Sequence, residues 1–176
     1  GYAPAMNIHR SAFGGRNHEY YSEDPILSGK SAANAVAGAK SKGVYAYIKH
    51  FALNDQETNR WEMLCVWADE QAIREIYLKP FEIAVKEGET TAIMTSYNYI
   101  GTQWAGANAS LLINVLRNEW GFKGSALTDY FADFGYMDAT RAIYNGGSSC
   151  LINRDVTTNY VTDTDDPTTV SHMRDA

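Results

Sequence analysis

Charged and polar side chains follow several of the strands that the sequence predicts, at the points where those strands end. Lys49 and His50 close a β-branched and aromatic run, and Arg60 comes ten residues after His50. Asp129 follows the run 125–128. Because the carboxyl ends of neighbouring parallel strands meet at one rim, we expect these side chains to lie close together. Any one of them alone is more often a solvated loop residue, so the argument depends on their joint placement.

The residue types at this rim suit nucleophilic chemistry on a polar substrate. An aspartate on a rigid strand end can attack an electrophilic carbon, such as the anomeric carbon of a sugar. Nearby cations favour the charged form of a carboxyl, so we expect Asp129 to stay ionised at neutral pH. Arg, Lys and His side chains would donate hydrogen bonds to vicinal hydroxyls, and Tyr97 could orient the nucleophile.

Predicted strands and helices alternate along most of the chain. The strands are expected at 5–9, 44–49, 92–96, 125–128 and 149–153. A helix capped by Ser28 is expected through residue 42, and another over 69–86, where Pro80 should kink or split it. Further helices are expected from Asn108 or Ser110 to residue 120 and over 138–145.

This alternation predicts an α/β fold with a parallel sheet covered by helices. A closed eight-unit barrel needs about 250 residues, and the chain has 176. We therefore expect an incomplete (β/α)8 TIM-type barrel of about five βα units over residues 1–153. Residues 154–176 should form an exposed Thr/Asp-rich segment and the start of a truncated helix. The competing doubly wound fold would carry a GxGxxG loop, which residues 14–17 (GGRN) do not match.

Composition excludes several classes of partner. A net charge of −6 argues against nucleic-acid binding, and no run of 18 apolar residues predicts a membrane span. Cys65 and Cys150 are far apart without a CxxC or a nearby His, so we expect two free, mostly buried thiols and no metal or cofactor. The aromatic fraction of 12% fits a sugar-handling protein, although a large aromatic core explains it at least as well.

Five stretches together resemble glycoside hydrolase family 3, the β-glucosidase group. They read APAMNIHRSAFGGRNHEYYSEDP, KHFALNDQETNR, EQAIREIYLKPFEIAVKEG, MTSYN and NEWGFKGSALTDY. The resemblance runs from Ala3 to about Asn153, and its KHFxxNxQExxR motif is highly specific. It implies a retaining exo-acting β-glycosidase whose first domain is a (β/α)8-type barrel, with terminal nonreducing β-D-glucosyl residues as substrate or, alternatively, a β-xyloside.

The resemblance also implies roles for single residues. Asp129 matches the catalytic nucleophile, and Tyr130 stands where many members have Trp, which keeps a stacking surface. The residues that match the sugar-binding pocket are Arg16, Lys49, His50, Arg60, Met94 and Tyr97.

Two requirements of the family find no match in the chain. These are the acidic residue that grips the sugar and the carboxylate that serves as general acid/base. Glu19, Glu23 and Glu57 are available, but they lie within barrel motifs and receive neither role. We therefore expect the remaining segments of a parent polypeptide to complete the enzyme and the isolated chain to be a poor catalyst. The alternative is a noncatalytic sugar-binding fragment or pseudoenzyme.

Overall fold

The computed structural model describes residues 1–131, 135–152 and 171. The strands in this part of the chain are β1 (Ile48–Phe51), β2 (Cys65–Val66), β3 (Ala92–Thr95), β4 (Tyr99–Ile100), β5 (Gln103–Trp104), β6 (Ser125–Phe131) and β7 (Ser149–Ile152). The α-helices are α1 (Pro25–Lys40), α2 (Glu70–Ala72), α3 (Lys79–Lys86) and α4 (Ala139–Tyr144). Two π-helical segments, Ile73–Tyr77 and Ser110–Glu119, and a 3-10 turn, Ala105–Ala107, complete the elements.

The main sheet has four parallel strands in the order β1-β3-β6-β7. Consecutive strands of this sheet are neighbours, so the strand order does not reverse within it as it would in a doubly wound sheet. The predicted α/β class is confirmed. The sheet order agrees with a barrel-like arrangement, in which strands follow one another around a ring.

A second, three-stranded sheet of β2, β4 and β5 was not predicted. Its strands are only two residues long, too short for any periodic pattern in the sequence. A tight turn at Gly101, whose φ is +59°, joins the antiparallel pair β4 and β5. This sheet lies directly after the segments that carry Arg60 and Tyr97.

The predicted first strand, 5–9, is wrong as a regular strand, since only Ala5 forms a bridge, to Lys49. Beyond that bridge the side chain of Asn7 replaces the backbone ladder. Its Oδ1 accepts from the His50 N–H at 2.8 Å and its Nδ2 donates to the His50 carbonyl at 2.9 Å. Four parallel strands and one bridge therefore stand where five units were expected, and β1 begins four residues later than predicted.

Helix α1 begins earlier than predicted, at Pro25. Asp24 caps it, because its Oδ1 accepts hydrogen bonds from the N–H groups of Ile26 and Leu27 at 2.7 and 3.0 Å. Pro25 at the first helical position has no N–H to leave unsatisfied. Ser28, the expected cap, lies fully buried inside the helix.

The helix predicted over 69–86 is divided as Pro80 suggested. A π-helical turn closes with Leu78 N–H donating to the Ile73 carbonyl at 2.8 Å, and α3 starts at Lys79. The π turn changes the angular spacing of the side chains. As a result Leu78 is buried and Ile76 is exposed.

The core lies between the main sheet and the helices. Phe51 of β1 packs against Phe81 of α3, with ring centroids 5.1 Å apart, and against Trp120 at 5.8 Å. Leu112 and Leu116 of the second π-helical segment complete this cluster, as its apolar spacing predicted. Apolar packing thus holds the strands in place while leaving the polar rim for the residues described below.

Other expectations are resolved only in part. Both cysteines are free, but Cys65, in the short β2 strand, is exposed rather than buried. The end of the fifth strand at Asn153 and the segment 154–176 lie outside the described residues. Among the described helices, none is long and apolar enough to cross a bilayer.

Two glycines of α1 offer a direct test of this packing. A Cβ added to Gly29 would lie 2.7 Å from Cδ1 of Ile83 and 3.1 Å from Cα of Pro80, whereas one added to Gly38 would meet nothing within 4 Å. We expect Gly29→Ala to lower the free energy of unfolding by about 1–2 kcal/mol, because overpacking exceeds the helix propensity gained. Gly38→Ala should raise it by up to about 1 kcal/mol. Urea unfolding measures both, and equal effects of the two substitutions would contradict the close approach of α1 and α3.

Candidate active site

Asp129 lies near the end of β6 and is buried. The strand was predicted to stop at Thr128 but continues through Phe131, so Asp129 is inside it. Its Oδ1 accepts a hydrogen bond from the Tyr130 N–H at 2.7 Å. Its Oδ2 accepts none from the described residues, with His50 Nε2 at 3.6 Å and Arg60 Nη1 at 3.7 Å. One carboxylate oxygen is thus held by the backbone and the other is available for chemistry.

Burial controls the ionisation of Asp129 more than its cationic neighbours do. Desolvation raises the pKa of the Asp129 carboxyl, and the Tyr130 N–H, Arg60, Arg16 and Lys49 act in the opposite direction without cancelling it. The cations therefore do not lower the pKa of Asp129 below its ordinary value, and its ionisation at neutral pH stays a prediction.

Two glutamates that the sequence analysis left without a role hold the cations in place. Glu57 bridges both arginines, with Oε2 2.9 Å from Arg60 Nε and Oε1 3.5 Å from Arg16 Nε. Glu19 pairs with Lys49 Nζ at 3.0 Å and with Arg16 Nε at 3.5 Å. The signal was present in the sequence, because Glu19 follows Arg16 and Arg60 follows Glu57 at a spacing of three.

The glycines of the loop 14–17 allow this loop to pack on the Glu57 segment. Gly15 has a φ of +91°, and a Cβ there would lie 2.9 Å from Glu57 Cγ. The Glu57 N–H donates to the Gly14 carbonyl at 3.0 Å. Only glycine fits the second position without strain, and the result is that Arg16 reaches the rim.

His50 is fixed at its backbone by Asn7 and at its ring by two further side chains. Arg16 Nη1 lies 3.0 Å from Nε2, and the Tyr20 hydroxyl lies 3.3 Å from Nδ1. Burial and the charges of Arg16, Lys49 and Arg60 hold the pKa of His50 well below its ordinary value. The imidazole is therefore neutral near pH 7, and its contact with Asp129 is not an ion pair.

Aromatic rings frame Arg60. Its guanidinium lies 4.8 Å from the centroid of Tyr97 and 5.5 Å from that of Trp61. The Tyr97 hydroxyl donates to the carbonyl of Tyr130 at 2.6 Å, so it contacts the backbone beside Asp129. Trp61 is 54% exposed and was not predicted, because its surroundings are set by a non-periodic loop.

The remaining predicted residues occupy different environments. Lys49 lies in β1 with its side chain largely covered and paired to Glu19. Met94 of β3 is buried and pairs with Leu127 of β6. Tyr130 is 44% exposed. The structure thus brings Arg16, His50, Arg60, Tyr97 and Asp129 together by the contacts above, whereas a pocket-lining role for Met94 stays a prediction.

In the part of the chain that the structure describes, no group of three or more His, Cys, Asp or Glu side chains could hold a metal ion. The arrangement is instead the Asp129 carboxylate beside the His50 imidazole and the Arg60 guanidinium. Such a site can bind a hydroxyl-rich molecule and present a carboxylate oxygen to it.

Comparison with known proteins assigns the family. The model of the glycosyl hydrolase family 3 N-terminal domain matches residues 1–148. The chain therefore belongs to glycosyl hydrolase family 3.

The curated relatives include Beta-glucosidase B of Emericella nidulans, 49% identical over 140 residues, which are 80% of this chain and 16% of that protein. Beta-glucosidase A of Butyrivibrio fibrisolvens is 51% identical over 128 residues, or 73% of this chain and 15% of that protein. The chain thus spans about one-sixth of the length of these relatives.

Solved structures give the same result. Beta-glucosidase 3B from Thermotoga neapolitana in complex with glucose matches with a TM-score of 0.81 at 40% identity, covering 98% of this chain and 23% of that one. DesR, a beta-glucosidase from Streptomyces venezuelae in complex with D-glucose, matches with a TM-score of 0.87 at 29% identity, covering 98% and 24%.

Asp55, in the loop that leads to Glu57, provides a test of the burial around the site. Its Oδ1 accepts from the Ile8 N–H at 3.1 Å, and its Oδ2 is buried without a hydrogen-bond partner among the described residues. Burial raises the pKa of Asp55 to about 6, against the influence of the Ile8 N–H and Arg10.

The pKa of Asp55 in the folded state exceeds its ordinary value of 3.8. The protonated Asp55 side chain therefore contributes its full stability below pH 3.8, and this contribution is lost as the pH rises through about 6. The loss amounts to roughly 3 kcal/mol. We expect Asp55→Asn, which cannot titrate, to gain roughly 2–3 kcal/mol of stability relative to the native chain between pH 4 and pH 7, because part of the loss has already occurred at pH 4. Urea unfolding at the two pH values measures the change, and a pH-independent difference would contradict the assigned burial.

Proposed function

We propose that this chain carries the nucleophile and most of the sugar-binding side chains of a retaining, exo-acting β-glucosidase. The observation that carries the proposal is the Asp129 Oδ2 atom, which is buried, accepts no hydrogen bond from described residues and lies between His50 and Arg60. Relatives and solved neighbours named beta-glucosidases support it, including two structures with bound glucose.

In this proposal Asp129 Oδ2 attacks the anomeric carbon of a terminal nonreducing β-D-glucosyl residue. The bond to the leaving oxygen breaks as that oxygen takes a proton from a general acid, and a covalent glycosyl-enzyme results. Water then attacks this intermediate and releases the sugar. The attack requires an ionised carboxylate, so the raised pKa of Asp129 moves the acidic limit of activity upward.

Lys49, Arg16 and Arg60 bind the hydroxyls of the sugar, and His50 contacts it beside the nucleophile. Tyr97, Met94 and Tyr130 form the walls of this subsite. The ion pairs to Glu19 and Glu57 keep the three cations oriented before the substrate arrives. Such preorganised charges act most strongly where burial excludes water.

The fold proposed for residues 1–153 is part of a (β/α)8 barrel with about five βα units. Support comes from the chain-order parallel sheet and from the similarity to solved beta-glucosidases. The remaining strands would then come from further segments of the parent polypeptide.

The general acid/base is proposed to come from those segments as well. A retaining glycosidase needs a second carboxyl group about 5–5.5 Å from the nucleophile. Glu19 and Glu57 are both engaged in ion pairs with cations of the site, a role that suits positioning rather than proton delivery. The span of only about one-sixth of the relatives' length supports this division.

Covalent labelling tests the nucleophile. A 2-fluoro glucoside that carries a good leaving group should label Asp129 in the polypeptide that contains this chain, and Asp129→Asn should abolish labelling. Turnover by that variant should fall on the order of 10⁴-fold or more, the range for loss of a nucleophile. The matched control is Glu23→Gln, an exposed carboxylate change that should leave both intact. Label on any other residue would refute the assignment.

The 176-residue chain by itself should hydrolyse an alkyl β-glucoside at negligible rate. General acid catalysis contributes about 10²–10⁴-fold, and an alkoxide leaves poorly without it. The same assay separates the main proposal from its alternatives, a noncatalytic sugar-binding fragment or pseudoenzyme, once the complete polypeptide is assayed beside it. Ordinary enzyme rates from the chain alone would mean that Glu19, Glu23 or Glu57 delivers the proton. Replacing the glucoside by a β-xyloside tests the alternative substrate.

A further inference from the structure

The contacts of the His50 ring determine which of its nitrogens carries the proton. Arg16 Nη1 lies 3.0 Å from Nε2. A guanidinium has only N–H donors and no acceptor. Nε2 must therefore present its lone pair to Arg16, because a proton there would meet the guanidinium N–H groups head-on.

Tyr20 completes the assignment from the other side of the ring. Its hydroxyl oxygen accepts a hydrogen bond from Asn54 Nδ2 at 3.0 Å, and the hydroxyl donates to the backbone carbonyl of Asn54 at 3.2 Å. A phenolic oxygen has one donor and room for further acceptance. The contact to His50 Nδ1 at 3.3 Å is then satisfied if Nδ1–H donates to Tyr20. All the contacts around the ring are met at once by this tautomer.

We propose that Tyr20 is a positioning residue that, with Arg16, holds His50 in its Nδ1-protonated tautomer, so that Nε2 is a hydrogen-bond acceptor at 3.6 Å from Asp129 Oδ2. From the sequence alone, the His50 side chain is expected to donate a hydrogen bond to the substrate. In the tautomer proposed here, Nε2 is an acceptor instead.

The surrounding charges act in the same sense. Arg16, Lys49 and Arg60 face the ring, and with burial they disfavour a second proton on it. Asp129 Oδ2 lies 3.6 Å from Nε2, and with an ionised carboxylate neither atom can donate to the other in this tautomer. Nε2 is already paired with Arg16, so Asp129 Oδ2 is the atom of the two that still lacks a donor among the described residues.

This tautomer restricts which groups of the substrate can contact His50, an inference that rests on the proposed function. A sugar hydroxyl that contacts His50 Nε2 must donate its proton to that nitrogen, sharing or replacing the contact from Arg16. Its oxygen then remains free to accept from a cation of the site. The subsite would thus select for a hydroxyl at this position over any group that can only accept.

The tautomer is directly measurable in the chain with ¹⁵N-labelled histidine rings. The chain has four histidines, and loss of one set of signals in His50→Ala assigns His50. We expect a proton bonded to Nδ1, with a pyrrole-type ¹⁵N shift, and a pyridine-type shift at Nε2. A proton on Nε2, or a doubly protonated ring near pH 7, would overturn the proposal.

Tyr20→Phe tests the positioning role, with Tyr21→Phe as the matched control at the adjacent, exposed tyrosine. Without the phenol, the Nδ1 proton loses its acceptor, so its signal should shift and exchange faster with solvent. Tyr21→Phe should leave that signal unchanged. A Tyr20→Phe spectrum identical to the native one would show that the hydroxyl does not position His50.

Glucose analogues test the polarity toward the substrate in the polypeptide that carries this chain. The hydroxyl that faces His50 is the one whose deletion weakens binding in the native protein but not in His50→Ala. At that position fluorine, which can accept but not donate, should weaken binding as much as hydrogen does, by about tenfold. Retained affinity of the fluoro analogue would refute the acceptor role. If no glucose analogue binds, the proposed function fails, whereas the NMR result still decides the tautomer.

Discussion

The site depends on burying a carboxyl group and several cations in one small volume without leaving their charges uncompensated. Burial of a lone charge is costly, and like charges brought together repel. Here Glu57 spans Arg16 and Arg60, while Glu19 spans Lys49 and Arg16. The cations are thereby fixed by carboxylates other than Asp129. This explains why desolvation prevails at Asp129 although three cations surround it.

The sequence predicts the parts of the fold that apolar periodicity controls. The strands predicted at 92–96 and 125–128 correspond to Ala92–Thr95 and Ser125–Phe131, and the helix closed near Asn145 and the break near Pro80 were also expected. The errors lie where side chains or short pairings replace regular structure. The Asn7 side chain, rather than backbone, pairs with the His50 backbone, and Asp24 rather than Ser28 caps the first helix. The two-residue strands of the second sheet are too short to leave a periodic pattern in the sequence.

At the site, residue types were easier to predict than their partners. The residues expected to share one site were Arg16, His50, Arg60 and Asp129. Short distances join Arg16 to His50, His50 to Asp129 and Arg60 to Asp129. The sequence did not predict which of these groups donate hydrogen bonds, which accept them, or in which direction their pKa values shift. These properties depend on burial and on the protonation state of each group. Tyr20 illustrates the limit, since nothing in the adjacent pair Tyr20–Tyr21 indicates which ring is buried against His50.

The atoms that converge on the free side of Asp129 complete this picture. Oδ2 and His50 Nε2 are two acceptors 3.6 Å apart, and Arg60 Nη1 is a donor 3.7 Å from Oδ2 without a described hydrogen bond of its own. Buried polar groups are normally paired, so this geometry favours an entering molecule that supplies both a donor and an acceptor at close spacing. A hydroxyl group does both with a single atom. The polarity of a sugar hydroxyl therefore suits Asp129 Oδ2 and Arg60 Nη1, which supports the proposed function.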